Sequence, residues 1–235
     1  MAGQTTLLVT LGLGFVLGLK HALDADHLVA VGTIVGRHRS LWRSSIVGAY
    51  WGLGHTASLL AASLVVLGVK RTIPARAALA LELAVGVMLV LLGLDLLRRV
   101  ARGELTLHAH EHDGHSHLHA HAAHPATSVH HHEVGKRPFL VGVVHGLAGS
   151  AALTLVVLST LPTIWAGLCY VAVFGAGTIL GMLVMSALVG LPFALAARRA
   201  GALSARIQVL AAVVSVGFGL WYSWHILFVE GLFRT

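Results

Sequence analysis

Two histidines and two aspartates lie within seven residues of an otherwise apolar stretch near the start of the chain. They are His21, Asp24, Asp26 and His27, in the run Lys20-His21-Ala22-Leu23-Asp24-Ala25-Asp26-His27. No charged residue occurs at positions 7–19 or 28–36. Ionisable groups are costly inside a membrane and usually serve a function there. Since imidazole nitrogen and carboxylate oxygen are ligands of nickel, cobalt and zinc, the cluster predicts a metal site.

The local backbone conformation decides how many of these side chains can meet one ion. In an uninterrupted helix, with about 100° per residue, His21, Asp24 and His27 fall on one stripe about 120° wide. Asp26 then points elsewhere. A broken helix would allow all four side chains to face one ion, and the sequence leaves these two arrangements open.

The composition places the cluster in a membrane protein. Of the 235 residues, 57% are hydrophobic and 11% are charged. Apolar segments long enough to cross a bilayer, about 20 residues each, are predicted at 6–36, 44–69, 76–98, 138–160, 163–195 and 205–231. The first and fifth are too long for straight spans, so tilt, a break or an interfacial extension must absorb the excess. We therefore expect an all-α polytopic membrane protein with six transmembrane helices.

The net charge of +7 predicts the orientation of these spans rather than nucleic-acid binding, because the basic residues lie at the ends of apolar segments. Eleven Lys and Arg residues fall in the first, third and fifth loops, and four fall on the other side. By the positive-inside rule, both termini face outward and the long central loop faces the cytoplasm. The predicted location is the cytoplasmic membrane.

An internal repeat divides the chain into two similar units. The pattern Phe15-x-x-Gly18-x-x-His21-x-Leu23 recurs 124 residues later as Phe139-x-x-Gly142-x-x-His145-x-Leu147, and Gly52-Leu53-Gly54 recurs 123 residues later as Gly175-Ala176-Gly177. Each unit has three predicted spans, an odd number, so the second must cross the membrane in the opposite direction. The sequence thus predicts two inverted three-helix repeats, 1–102 and 136–235. Such repeats are common in secondary transporters, whose sites lie near the bilayer midplane.

Histidines on three different spans are predicted to lie at similar depth. Counted from the cytoplasmic basic residues Arg37, Arg43 and Arg137 at about 1.5 Å per residue, the depths inside the membrane are roughly 15, 18 and 12 Å for His27, His55 and His145. These depths fall near the middle of a core about 30 Å thick. His55 and His145 are therefore candidate ligands beside the first cluster, although depth leaves their lateral position open.

The segment between the repeats, 103–135, has a different composition. It contains eleven histidines in 33 residues: His108, His110, His112, His115, His117, His119, His121, His124, His130, His131 and His132. With almost no large apolar side chains it cannot form a core, so we expect it to be disordered. Its predicted role is loose metal capture on the cytoplasmic side.

The motifs on the first two spans resemble those of the nickel/cobalt transporter family. His21, four further residues, and then Asp26-His27 match its His-x4-Asp-His pattern, and Lys20 stands where the longer signature has Arg. Gly54-His55-Thr56 resembles its second signature, Leu-Gly-His-Ser/Thr. With six predicted spans rather than eight, the chain is more similar to the UreH-like branch of the wider family.

The resemblance implies a secondary transporter that imports Ni²⁺ or Co²⁺ as transported substrate, with no resident cofactor. Uptake would supply nickel enzymes such as urease or hydrogenase, whose metallochaperones are candidate partners, or provide cobalt for cobalamin. No nucleotide-binding motif is present in the sequence, so ATP coupling would need another subunit.

Three other functions remain open at this point. Related metal exporters resemble the chain in having six spans and a cytoplasmic His-rich loop, so efflux is the main alternative. A membrane-embedded metalloenzyme is disfavoured because the cluster lacks the His-Glu-x-x-His arrangement. A metal sensor is disfavoured because it has no need of the two-sided pathway that an inverted repeat provides.

Overall fold

The computed structural model consists mainly of helices and describes residues 2–36, 38, 40–69, 74–103, 108–112, 115–119, 133–148, 163–199 and 201–232. The helices are α1 (Ala2–His21), α2 (Ala25–Val35), α3 (Leu41–Val69), α4 (Ala75–Ala101), α5 (Glu133–Leu147), α6 (Ile164–Arg199) and α7 (Gly201–Trp224). A π-helix, His225–Val229, continues α7. Two short strands, β1 (His108–His112) and β2 (His115–His119), form an antiparallel hairpin.

Four of the described helices are long and apolar enough to cross a membrane. The stretches that qualify are Leu41–Val66, Ala75–Ala101, Ile164–Ala196 and Leu203–Val229. They correspond to the second, third, fifth and sixth predicted spans, and the bent pair of α1 and α2 makes a fifth candidate. Residues 149–162, which include most of the fourth predicted span, lie outside the described part of the chain. The described residues thus support a helical membrane protein with four or five spans.

A break near its middle divides the first predicted span. α1 ends at His21, α2 begins at Ala25, and the two helices are bent by 54°. The backbone N–H groups of Leu23 and Asp24 donate to carbonyls only three residues back, those of Lys20 and His21. This tightening ends α1, and Asp24 then takes an extended conformation with ψ of 144°. A break is therefore what absorbs the excess length of this segment.

Glycines bring the helices into backbone contact. α1 packs on α6, α3 packs on both α5 and α6, and α4 packs on α7. A Cβ atom at Gly18 would collide with the carbonyl oxygen of Phe174, and one at Gly142 would collide with that of Trp51. Small residues allow such close approach, which is a main source of helix association in lipid.

Hydrogen bonds between helices supplement this packing. Ser215 Oγ donates to the carbonyl oxygen of Leu89 at 2.8 Å, which joins α7 to α4. Gln208 Nε2 donates to the carbonyl oxygen of Gly36 at 3.1 Å, just beyond the end of α2. Since the last carbonyls of a helix have no partner within it, Gln208 satisfies one of them and ties the end of α2 to α7.

The hairpin lies within the His-rich segment 103–135. Its register pairs His108 with His119, His110 with His117 and His112 with His115. The sequence predicts no regular structure here; antiparallel pairing of adjacent strands needs only a short turn, and an isolated hairpin is marginally stable at best. His121, His124, His130, His131 and His132 lie outside the described residues. The division into 1–102, 103–135 and 136–235 stays a prediction.

Candidate metal centre

Four histidines and one aspartate from four helices meet inside the helix packing. His21 is the last residue of α1, Asp26 and His27 are in the first turn of α2, His55 is near the middle of α3, and His145 is in the last turn of α5. The break between α1 and α2 is what directs their side chains to the same place. We refer to these five residues as the metal centre.

The imidazole rings of the metal centre are in mutual contact. The ring centroid of His27 lies 4.1 Å from that of His145, 4.5 Å from that of His21 and 5.5 Å from that of His55. The His21 and His55 rings are 5.0 Å apart, and the His55 and His145 rings are 6.1 Å apart. His27 and His55 are completely buried and His145 is nearly so. The rings of His27, His55 and His145, whose lateral position the depth count left open, therefore lie together in the structure.

Asp24 fixes the orientation of His21. Its Oδ2 lies 2.7 Å from Nδ1 of His21. Aspartate is a favoured N-cap residue, and Asp24 stands at the N-cap of α2, yet its side chain caps no backbone N–H. The Asp24 side chain accepts from Nδ1 of His21 instead of capping the helix. The other ring nitrogen of His21, Nε2, is buried and has no hydrogen-bond partner. With half of its side chain exposed, Asp24 lies at the edge of the centre.

Asp26 lies further inside than Asp24 and contacts two of the histidines. Its Oδ2 is 2.8 Å from Nε2 of His145, and its Oδ1 accepts a hydrogen bond from the backbone N–H of His27 at 2.9 Å. Nδ1 of His27 lies 3.3 Å from the same Oδ1 without meeting hydrogen-bond geometry. Asp26 is thus the carboxylate that lies among the rings, whereas a straight helix would have placed Asp24 there.

Six ring nitrogens of the centre are buried without a hydrogen-bond partner among the described residues. They are Nε2 of His21, both ring nitrogens of His27 and of His55, and Nδ1 of His145. Each unsatisfied buried polar group costs about 1–3 kcal/mol. A neutral imidazole offers one lone pair to a metal, so a divalent cation bound between these rings could be the partner of one nitrogen of each ring.

Two groups within the centre place their potential ligand atoms close enough together to hold a metal ion. In His21, His27 and His55, and again in Asp26, His27 and His145, one potential ligand atom from each residue lies within 4.8 Å of the others. Nitrogen with a single carboxylate suits borderline cations such as Ni²⁺, Co²⁺ and Zn²⁺ better than Mg²⁺ or Ca²⁺, which prefer oxygen. The donor atoms therefore restrict the metal class without selecting one metal.

The C-terminal ends of two helices add negative potential at the metal centre. α1 ends at His21 and α5 ends at Leu147, two residues after His145. The carbonyl dipoles of a helix leave about half a negative charge at its C-terminal end. Helix ends of this kind help to bind cations in transporters with discontinuous helices.

Comparison with curated proteins identifies relatives of the chain. It is 42% identical to urease accessory protein UreH of Bacillus sp. strain TB-90 over 231 residues, which cover 98% of this chain and 97% of that protein. The chain belongs to the UreH-like branch of the nickel/cobalt transporter family. The family assignment made from the two signatures is thereby confirmed.

Two plant proteins are more distant relatives of this UreH-like chain. It is 27% identical to chloroplast protein FOR GROWTH AND FERTILITY 1 of Arabidopsis thaliana, across 93% of this chain and 60% of the plant protein. It is 25% identical to FOR GROWTH AND FERTILITY 2, across 92% of this chain and 56% of that protein. The chain thus spans less than two thirds of either plant protein. No family model matches the chain, and no solved structure matches it.

Two aromatic residues that sequence reasoning missed line the centre of this UreH-like chain. The ring of Trp51 lies 5.9 Å from that of His27 and 5.7 Å from that of His145. The ring of Phe174 lies 5.6 Å from that of His21. The repeat contains the signal that would have found them, because the offset of 123 relates position 51 to position 174.

Proposed function

We propose that the chain is a secondary transporter that imports Ni²⁺, Co²⁺ or both across the cytoplasmic membrane. The observation that carries the proposal is the set of six buried ring nitrogens without partners, gathered beside Asp26 at the break in the first span. The name of the Bacillus relative, urease accessory protein, agrees with nickel uptake because urease is a nickel enzyme.

In this proposal the metal centre replaces the hydration shell of the cation. Water would leave stepwise as His21, His27, His55 and His145 supply nitrogen ligands, and Asp26 would offset part of the charge in a medium of low dielectric constant. Asp24, which the sequence also predicts as a ligand, would contribute from the exposed edge. The eleven histidines of segment 103–135 would bind the cation loosely in the cytoplasm, with both termini on the other side of the membrane.

The proposal includes two inverted three-helix units, and one set of contacts supports them. Gly18 contacts Phe174. The repeat relates Gly18 to Gly142, 124 residues later, and Phe174 to Trp51, 123 residues earlier. Gly142 and Trp51 are also in contact. A set of contacts that is preserved when the two halves exchange places is what a two-fold axis produces.

Two further sets of glycine contacts obey the same exchange. Gly177 abuts Phe15, and its counterpart Gly54 abuts Phe139. On the third helix of each unit the offset is 126: Gly93 abuts Ala212, and Gly219 abuts Gly86. Because each unit has three predicted spans, this two-fold axis would lie in the membrane plane, as in transporters that work by alternating access.

Nickel accumulation in cells tests the proposal directly. A host without nickel importers would express the wild-type chain, His27→Ala, or the control His225→Ala, whose ring contacts Trp221 instead. We expect the wild type and the control to accumulate radioactive nickel above the empty host, and His27→Ala to lose that increase. Accumulation below the empty host would establish export. No change in either direction, with the protein present in the membrane, would contradict nickel transport and make cobalt the next ion to test.

A further inference from the structure

We infer that the metal centre holds one cation at either of two overlapping positions that share His27, and that the cation passes from one to the other during transport. The first position is formed by His21, His27 and His55, and the second by Asp26, His27 and His145. This inference rests on the proposed transport function and specifies how the site works.

The distances favour two positions over one. The rings of His21, His27 and His55 form a triangle with sides of 4.5, 5.0 and 5.5 Å. His145, whose ring is 4.1 Å from that of His27 but 6.1 Å from that of His55, and Asp26, 3.3 Å from Nδ1 of His27, contact this triangle at His27. Ligand atoms about 2.1 Å from a metal are roughly 3–3.5 Å from each other. Each group can reach this spacing by a contraction of about 1.8 Å at most, because its ligand atoms already lie within 4.8 Å.

Hydrogen bonding leaves the shared histidine able to face either position. His21 has Nδ1 committed to Asp24, and His145 has Nε2 committed to Asp26. Each therefore has one nitrogen without a partner, whereas His27 and His55 each have two, and of these only His27 belongs to both groups. Nδ1 of His27 lies beside Asp26, on the side of the second position, so Nε2 remains for the first.

The chemistry of imidazole makes the two positions alternatives. A neutral imidazole carries its proton on one nitrogen and has a lone pair only on the other. His27 can therefore ligate a cation at one position at a time, and transfer requires its proton to change nitrogens. The metal centre should therefore hold one cation at a time although it contains two positions.

The two positions differ in charge. The first has only imidazole ligands, with the half-exposed carboxylate of Asp24 behind His21, and the second includes the more buried carboxylate of Asp26 as a ligand. A divalent cation in a medium of low dielectric constant is stabilised by a nearby negative charge. The second position should therefore hold the cation more tightly, and the first should be occupied when the second is disabled.

Nickel binding to the purified full-length chain tests this inference without using transport. His21→Ala disables only the first position, His145→Ala only the second, and His27→Ala both. We expect one tightly bound Ni²⁺ per chain in the wild type, beside Ni²⁺ held loosely by the histidines of segment 103–135. The affinity for the tightly bound ion should fall by about tenfold or less in the first two variants and by about a hundredfold or more in His27→Ala. X-ray absorption should detect three imidazoles around nickel in His145→Ala, and two imidazoles with a carboxylate in His21→Ala.

Several outcomes would overturn the two positions. Equal loss of affinity in all three variants would indicate a single joint site, and two tightly bound Ni²⁺ per chain, both lost in His27→Ala, would contradict alternation. Histidine-to-glutamine versions, together with the elution profile in detergent, identify any variant that fails to fold. Wild type that binds nickel as expected but moves none into vesicles would contradict the transport function alone. Wild type that transports nickel while the three variants bind it equally poorly would contradict the two positions alone.

Discussion

Because Asp24 accepts a hydrogen bond from His21, we expect it to orient that histidine. The sequence alone suggests Asp24 as a metal ligand. Asp24→Ala should raise the nickel concentration for half-maximal uptake by about 10- to 100-fold, since loss of a partner that orients a ligand typically has this effect. Asp24→Asn should raise this nickel concentration less, because the amide oxygen of asparagine can still accept a hydrogen bond from Nδ1 of His21. Initial uptake rates over a range of nickel concentrations measure both. Equal losses in the two variants would indicate that Asp24 binds the cation itself.

We expect Trp51 to stabilise the fold beside the metal centre. Its fully buried ring packs against His27 and His145. Trp51→Ala should lower the free energy of unfolding by about 3–5 kcal/mol through the cavity it leaves. Trp51→Phe should be much milder, since a phenylalanine, Phe174, occupies the counterpart position beside His21. Thermal unfolding in detergent measures both, and an equal loss for the two variants would show that the indole itself is required.

The metal centre could be predicted only partly from its residue types. His21 and His27 follow from their density within an apolar segment, and the repeat and the depth count point to His145. The choice of Asp26 over Asp24 depends on the break after His21, and the sequence gives neither its position nor its angle. Trp51 and Phe174 were missed because an aromatic residue in an apolar span is ordinary by itself.

At the scale of the helices, the glycine contacts predict matched effects in the two halves. Gly18→Ala and Gly142→Ala each place a methyl group against a backbone carbonyl of the facing helix. Overpacking of this kind typically costs about 1–3 kcal/mol, so both should lower the unfolding temperature, and by similar amounts.

Two other glycines provide matched controls for these variants. A Cβ atom added at Gly12 or at Gly217 would meet nothing within 4 Å. Gly12→Ala and Gly217→Ala should therefore leave the unfolding temperature near that of the wild type. If the unfolding temperatures of the controls fall as far as those of Gly18→Ala and Gly142→Ala, contact between helices does not explain the loss of stability.

The helices themselves could be predicted largely from hydrophobic length. Four predicted spans agree with helices of the structure to within a few residues, because about 20 apolar residues are what a bilayer requires. The first predicted span proved to be two helices, since hydropathy measures length and gives no information on direction. The hairpin was not expected, because it depends on local backbone pairing rather than on a hydrophobic pattern.

For the whole molecule, the distribution of basic residues predicts which segments face the cytoplasm. In a Cys169→Ser background, one cysteine would be introduced at Thr72, between the second and third predicted spans, or at Ser128 in the His-rich segment. A membrane-impermeant maleimide should label Thr72→Cys in intact cells and Ser128→Cys only after permeabilisation. The background protein should remain unlabelled, and the opposite pattern would reverse the proposed orientation.

The exchanged glycine contacts also bear on the origin of the gene. A shorter ancestor with three helices, inserted in both orientations, would have made the contact of Gly18 with Phe174 and that of Gly142 with Trp51 as one contact formed twice between two copies. Duplication and fusion would then have released each copy from the need to serve both orientations. Position 55 is histidine while its counterpart is Thr178, so the candidate metal ligands differ between the two units where the helix contacts do not.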